Sequence, residues 1–145
     1  MAVFLDTGFY MGLISKKDEH YDASVRILTK LKSGEYGQIY TSNLIMAETS
    51  TLVAARTNRN SIALIKTEQL FIGELRIATI LRPDEQVEKR TWEISKRVNL
   101  HKGKKNIPLL MSFVDCSNLA LCETRGIENI VSFDTHFKPW IQIIE

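Results

Sequence analysis

Four acidic residues stand out in this sequence because of the company they keep. Asp6 closes the apolar run AVFL, and Glu48 lies in the helix-forming stretch SNLIMAETSTLVAAR. Asp115 and Asp134 follow Ser-Phe phrases in SFVDCSNLALCETRGIENIVSFDTHF. A carboxylate among core-forming side chains is costly unless a cation or hydrogen-bond donors meet it. Two such charges about 5 Å apart repel by roughly 3 kcal/mol at an effective dielectric near 20. If the four converge, they hold either protons or a cation. An all-oxygen donor set, with no cysteine or histidine in it, selects Mg²⁺ or Mn²⁺. Such ions activate water and steady phosphoryl oxygens, so the chemistry on offer is metal-dependent phosphodiester cleavage or a related phosphate-handling reaction. Spacing alone leaves the convergence assumed.

Each acid also has a plain reading. Asp6 and Asp134 suit turns. Ser112-x-x-Asp115 has capping-box spacing, and an acid in a first helical turn is favoured by the helix dipole. Glu48 is harder to set aside. On a helical projection from Leu44 it falls at about 40°, between Ala55 at about 20° and Leu52 at about 80°. It thus lies within an apolar stripe, from which it either snorkels out or meets a partner.

The elements that must position these acids follow from the same pattern. Ala2 to Leu5 reads as a buried strand, and Gly8 to Ile14 as a short helix. Asp18 can cap a helix running to Lys32, before Ser33-Gly34. A short strand, Gln38 to Tyr40, precedes a helix capped by Thr41 or Ser42. Asn58 and Asn60 mark a break before a helix from Ser61 to Phe71. A strand is expected over Ile77 to Leu81, and Pro83-Asp84 opens a helix to Val98. Ser112 to Thr124 forms a helix stopped by Gly126, followed by strands at Ile130 to Phe133 and Trp140 to Ile144. Strands alternating with helices predict an α/β sandwich on a mainly parallel sheet. In this reading Asp6 and Asp134 both sit at carboxyl ends of strands, the edge where open parallel sheets bind ligands.

The 145 residues suit a single domain over 1–145, with a core that needs no staples. Composition is ordinary for a soluble globular protein, and no apolar run has the roughly 20 residues of a membrane span. MAVFLDTGF lacks the basic start of a signal peptide. Cys116 and Cys122, if on one helix, differ by about 9 Å in rise and cannot pair. Free thiols fit a reducing, cytoplasmic setting, and neither cysteine has zinc-site neighbours. A net charge of +2 excludes a strongly basic whole-protein field. The densest local patch, His101-Lys102-Gly103-Lys104-Lys105, can meet RNA phosphates through Lys102, Lys104 and Lys105, or can be a solvated loop.

LDTGFYMGLI, SNLIMAE, SFVDCSNLALCETRGIENI and VSFDTHF, in this order over essentially the whole chain, resemble the PIN-domain nucleases, most closely the toxins of VapBC-type toxin–antitoxin pairs. The resemblance implies a three-layer α/β/α fold and a single-strand-specific endoribonuclease. It implies that Asp6, Glu48, Asp115 and Asp134 hold one or two Mg²⁺ or Mn²⁺ ions. Asp6 and Asp115 would be the firmest ligands, Asp134 a ligand through water, and Glu48 a ligand or the group orienting the attacking water. It implies a homodimer and a small antitoxin that occludes the site. The apolar surplus at Leu52, Val53, Ile62, Ile65, Leu70 and Phe71 fits a partner or a core.

After its first Asp-Thr the family often carries Asn or Ser, where this chain has Gly8. Thr7 and Ser132 flank metal-binding positions, where they either bind phosphate or a water near the metal or, the favoured reading, are structural; His136 can contact substrate but stands outside the catalytic set. Two rival readings remain. One is a PIN-like nuclease of housekeeping RNA processing, and the other is a catalytically silent binding module. Phosphotransfer to Asp6 is disfavoured, because DTGF lacks a second Asp two residues on.

Overall fold

Short apolar runs become the five strands of one parallel sheet. In the computed structural model, which describes residues 1–100 and 110–145, these are β1 (Ala2–Leu5), β2 (Gln38–Ser42), β3 (Thr79–Leu81), β4 (Asn129–Val131) and β5 (Gln142–Ile144). Their order is β3-β2-β1-β4-β5, and every pairing is parallel. The helices are α1 (Thr7–Ile14), α2 (Tyr21–Lys32), α3 (Asn43–Arg56), α4 (Ser61–Phe71), α5 (Glu85–Asn99) and α6 (Phe113–Arg125). They pack in two groups: α1 meets α2, α3 and α4, while α5 meets α6. The α/β/α sandwich expected from the sequence is the observed fold. The basic stretch with Lys102, Lys104 and Lys105 lies outside the described residues.

The central strand β1 is apolar on both faces because both are covered; Val3, Phe4 and Leu5 are fully buried. From β1 the chain first builds outward through β2 and β3, then returns to the other side for β4 and β5. The order therefore reverses between β1 and β4, and in open α/β sheets ligands bind at such a point, at the strands' carboxyl ends. Asp6 emerges there, its N–H donating to the Val131 carbonyl at 3.1 Å.

Local chemistry sets the helix ends. Ser42, Asn60, Asp84 and Ser112 each accept a first-turn N–H through the side chain. Gly126 ends α6 in the left-handed region, with φ of 66°. Gly12 lets α2 approach α1 closely, since a methyl there would strike the Ser24 hydroxyl. Several expected boundaries move: β2 runs on to Ser42, and β3 and β5 start two residues later than expected, at Thr79 and Gln142. Asp18 accepts from the His20 N–H in a turn, and α2 starts only at Tyr21 with His20 at its cap. β4 ends at Val131, so Asp134 stands three residues beyond the strand.

Candidate active site

Acids from four elements influence one another's ionisation near the carboxyl ends of β1 and β4. Asp6 caps α1, and its carboxylate is almost fully buried, at 3% exposure. Its Oδ1 accepts the Thr7 N–H at 2.8 Å and faces the Asn118 Nδ2 at 3.4 Å. Its Oδ2 accepts the Ser132 hydroxyl at 2.7 Å. Burial pushes its pKa up to about 7; the Ser132 hydrogen bond opposes that rise, and the charges of Asp115 and Asp134 add to it.

Asp115 sits in the first turn of α6. Its N–H donates to Ser112 Oγ at 3.0 Å, which is half of the expected capping box. The side chain in turn interacts with the Ser112 hydroxyl and backbone N–H, which act to lower its pKa against the rise that burial brings. It turns inward, where Oδ2 stands 3.2 Å from His136 Nε2. Burial raises the pKa of Asp115, with His136 opposing and Asp134 adding. Glu48 is half-buried, and its pKa is raised by burial first, then by the Asp115 charge, with Asp134 adding less. Asp134 is exposed, and its N–H donates to Ser132 Oγ at 3.1 Å.

These mutual effects place the four acids in one electrostatic neighbourhood. Among the described residues, however, no three acidic, histidine or cysteine side chains close on one point as a ready-made cage. The donor chemistry nevertheless suits a hard dication. The carboxylates oppose one another's ionisation. The Thr7 side chain interacts with Glu48 and His136 Nε2 stands beside Asp115, while the buried Asn118 Oδ1 has no partner. A buried polar atom of that kind is where an ion or an ordered water belongs.

The helical projection of α3 needs adjusting. Its buried face runs through Ile45, Thr49 and Val53. Glu48 lies on the flank of that face, with Leu44 and Leu52 only partly covered and Ala55 exposed. A flanking carboxylate meets the charges of Asp115 and Asp134 without crossing the core.

Of three neighbours, the sequence pointed to Ser132 and His136 only as possible secondary contacts and missed Asn118. Asn118 is fully buried one turn beyond Asp115, and a polar residue within the apolar run of α6 was the signal that could have marked it. Ser132, read as structural, bonds Asp6 directly. His136, set outside the catalytic set, touches Asp115. Gly8 also gains an explanation: a Cβ there would meet the Phe133 ring at 3.3 Å. That ring stacks flat on His20, with centroids 3.9 Å apart and planes 6° apart. An aromatic pair therefore fills the space beside Gly8.

The PIN domain family profile matches residues 3–139. The chain belongs to the PIN domain family. Among curated PIN-fold relatives, it is 28% identical to a VapC ribonuclease of Archaeoglobus fulgidus, over 94% of this chain and 80% of that one. It is 25% identical to the 23S rRNA-specific endonuclease VapC20 of Mycobacterium tuberculosis, over 93% and 91%. The crystal structure of that VapC20, a sarcin-ricin loop cleaving toxin, superposes with a TM-score of 0.72 at 23% identity, covering 94% of this chain and 93% of that one. VapBC2 of Rickettsia felis, solved bound to a DNA fragment from its promoter, gives a TM-score of 0.66 at 15% identity, with 99% and 98% covered. Both superpositions extend over nearly the whole chain, so the PIN fold here carries no large insertion relative to them.

Proposed function

We propose that this PIN domain is a divalent-metal-dependent endoribonuclease acting on single-stranded or loop RNA, as the toxin of a toxin–antitoxin pair. The observation that carries the reading is Asp6, buried at the carboxyl end of β1 and held by Ser132 and Asn118, with the charges of Asp115 and Asp134 raising its pKa and that of Glu48. Relatives named as ribonucleases over more than nine-tenths of this chain support the substrate class.

In this proposal the four acids hold Mg²⁺ or Mn²⁺, with Asp6 and Asp115 innermost. When bound, the ion lowers the pKa of water and neutralises charge on the phosphodiester. The residues supply the rest. The Ser132 hydroxyl and the Thr7 N–H fix both oxygens of Asp6. Glu48, whose pKa is raised and whose side chain lies nearer solvent, takes the proton of the attacking water. The exposed Asp134 orients the water shell on the phosphate side.

The partners proposed are a second copy and a small antitoxin. Between α2 and α4 runs a groove of about 620 Å³ with apolar walls at Leu13, Val25, Leu28, Leu70 and Ile77 and charged residues Lys32, Lys66, Glu74 and Arg76 also lining it, suited to an amphipathic peptide. Among the described residues no helix is long and apolar enough to cross a membrane. Both cysteines are buried and free, in keeping with the proposed cytoplasmic setting.

The test is cleavage of a single-stranded RNA by the purified protein with Mn²⁺, set against Asp115→Asn. The variant is expected to lose at least 100-fold in rate, about 2.7 kcal/mol of transition-state stabilisation. Equal cleavage by the two proteins would remove the catalytic reading.

A further inference from the structure

We propose that His20, stacked on Phe133 beside the acids, is a platform on which the protein stacks an RNA base adjacent to the cleaved phosphate. The inference rests on the ribonuclease reading above and names a substrate contact that carboxylates cannot make. Two observations carry it.

The first is where the pair stands. Phe133 lies between Ser132, whose hydroxyl bonds Asp6, and Asp134. Its ring fills the space beside Gly8, in the first turn of the helix that Asp6 caps, where a Cβ would meet it at 3.3 Å. Phe133 packs against the core, and His20 covers it from the end of the α1–α2 turn. The two rings are nearly parallel, with planes 6° apart and centroids 3.9 Å apart. A strand whose phosphate sits at the acids therefore passes this stack with a neighbouring nucleotide.

The second observation is how His20 is held. Its N–H donates to Asp18 Oδ1 at 2.8 Å, and its carbonyl accepts the Ser24 N–H at 2.9 Å. The Nε2 edge lies 3.4 Å from Glu19 Oε1. The imidazole is pinned by these contacts and covered on one face by Phe133, yet its side chain is still 37% exposed. That exposure leaves the other face for a ligand ring.

A fixed flat ring open on one side is what a single-stranded nucleic acid needs. Every base has a π-face, and bases of unpaired RNA stack on histidine as on phenylalanine. Holding the ring in place beforehand lowers the ordering cost of binding. The exposed Lys16 and Lys17 of the same turn can meet the phosphates on either side of the stacked base. The platform acts on binding and register, so its loss falls on saturation by RNA and not on the chemical step.

The experiment is single-turnover cleavage with Mn²⁺ of a short single-stranded RNA spanning a site that the protein cuts. The RNA is used intact and with an abasic residue replacing each nucleotide in turn. Parent, His20→Ala and His20→Tyr are compared, with circular dichroism melts as the fold control. One abasic position is expected to raise the parent's half-saturating concentration at least fivefold, the low end for one stacked base. His20→Ala should raise it by a similar factor on intact RNA, with the maximal rate changed less than about threefold, and His20→Tyr should restore it. His20→Ala and that abasic RNA together should lose no more than either alone, because both remove one contact. Losses that multiply at every position, or a His20→Ala variant that saturates like the parent, overturn the platform and leave the nuclease standing. A variant whose maximal rate falls in step with its melting temperature makes the pair structural and also overturns it. A parent that cleaves no RNA overturns both readings.

Discussion

Asp6 is the residue whose chemistry the fold alters most. Its carboxyl titrates at about 7 in the folded protein, against an ordinary value near 3.8. Between these values the folded state holds a proton that the unfolded chain has released. Stability of the metal-free protein is therefore fullest below about pH 4, falls through this window, and has lost the whole contribution above about pH 7. A tenfold change in proton affinity corresponds to about 1.4 kcal/mol, so the loss is on the order of a few kcal/mol. Asp6→Asn removes the titration while keeping an oxygen for the Thr7 N–H. In chelator at pH 8 the variant is expected to melt higher than the parent, with the difference closing towards pH 4. With saturating Mn²⁺ the order should reverse, because metal binding stabilises only the parent. Thermal melts over pH 4 to 8, with and without metal, check this. A variant that is less stable in chelator at every pH would make Asp6 a structural aspartate.

At the scale of elements, α6 shows what the sequence could and could not disclose. Its ends were legible because they are local chemistry. Ser112 caps the first turn, and Gly126 supplies a conformation that costs other residues more. The strand–helix alternation and the placement of Asp6 after β1 were legible for the same reason. Strand order was not, because it depends on which faces pack. The inward turn of Asp115 towards His136 was also hidden, since their 21-residue separation carries no periodic signal. Nor could the sequence show that α3 buries Ile45, Thr49 and Val53 and leaves Glu48 on the flank, because apolar residues line more of that helix than one face needs. The two ends of α6 give paired predictions. Ser112→Ala should cost about 1 kcal/mol and also loosen the turn that carries Asp115, lowering activity beyond its effect on stability. Gly126→Ala should cost about 1 kcal/mol through its positive φ, with kcat unchanged below the melting transition. Denaturant melts and cleavage rates on both variants separate the functional turn from the structural one. Equal kcat in the two would place Asp115 beyond the reach of the cap.

At the scale of the whole molecule, the apolar surplus divides between core and surface. Val53, Leu70 and Phe71 are buried, and Leu52 is partly covered. Ile62 and Ile65 are 77% and 57% exposed on α4, and Ile72 just beyond it is 59% exposed. Positions 62, 65 and 72 fall within about 80° of one another on a helical projection, so they form one stripe. Isolated exposed apolar side chains need no explanation, but an aligned stripe marks a contact surface. On the same helix the stripe borders Lys66 and Leu70, which line the groove of about 620 Å³. In the proposed assembly the stripe meets a second copy and the groove takes the antitoxin, two occupants for neighbouring faces of one helix. Paired Ile62→Glu and Ile65→Glu substitutions remove no buried contact, so the melting temperature of the isolated protomer should hold within a few degrees. A stable interface needs about 800 Å² from each partner, and two charges at its centre would be left unpaired on burial. Sedimentation velocity is expected to show a dimer for the parent and a monomer for the double variant at the same concentration. A dimer unaffected by the two glutamates would assign the stripe to some other partner and move the self-contact elsewhere on the molecule.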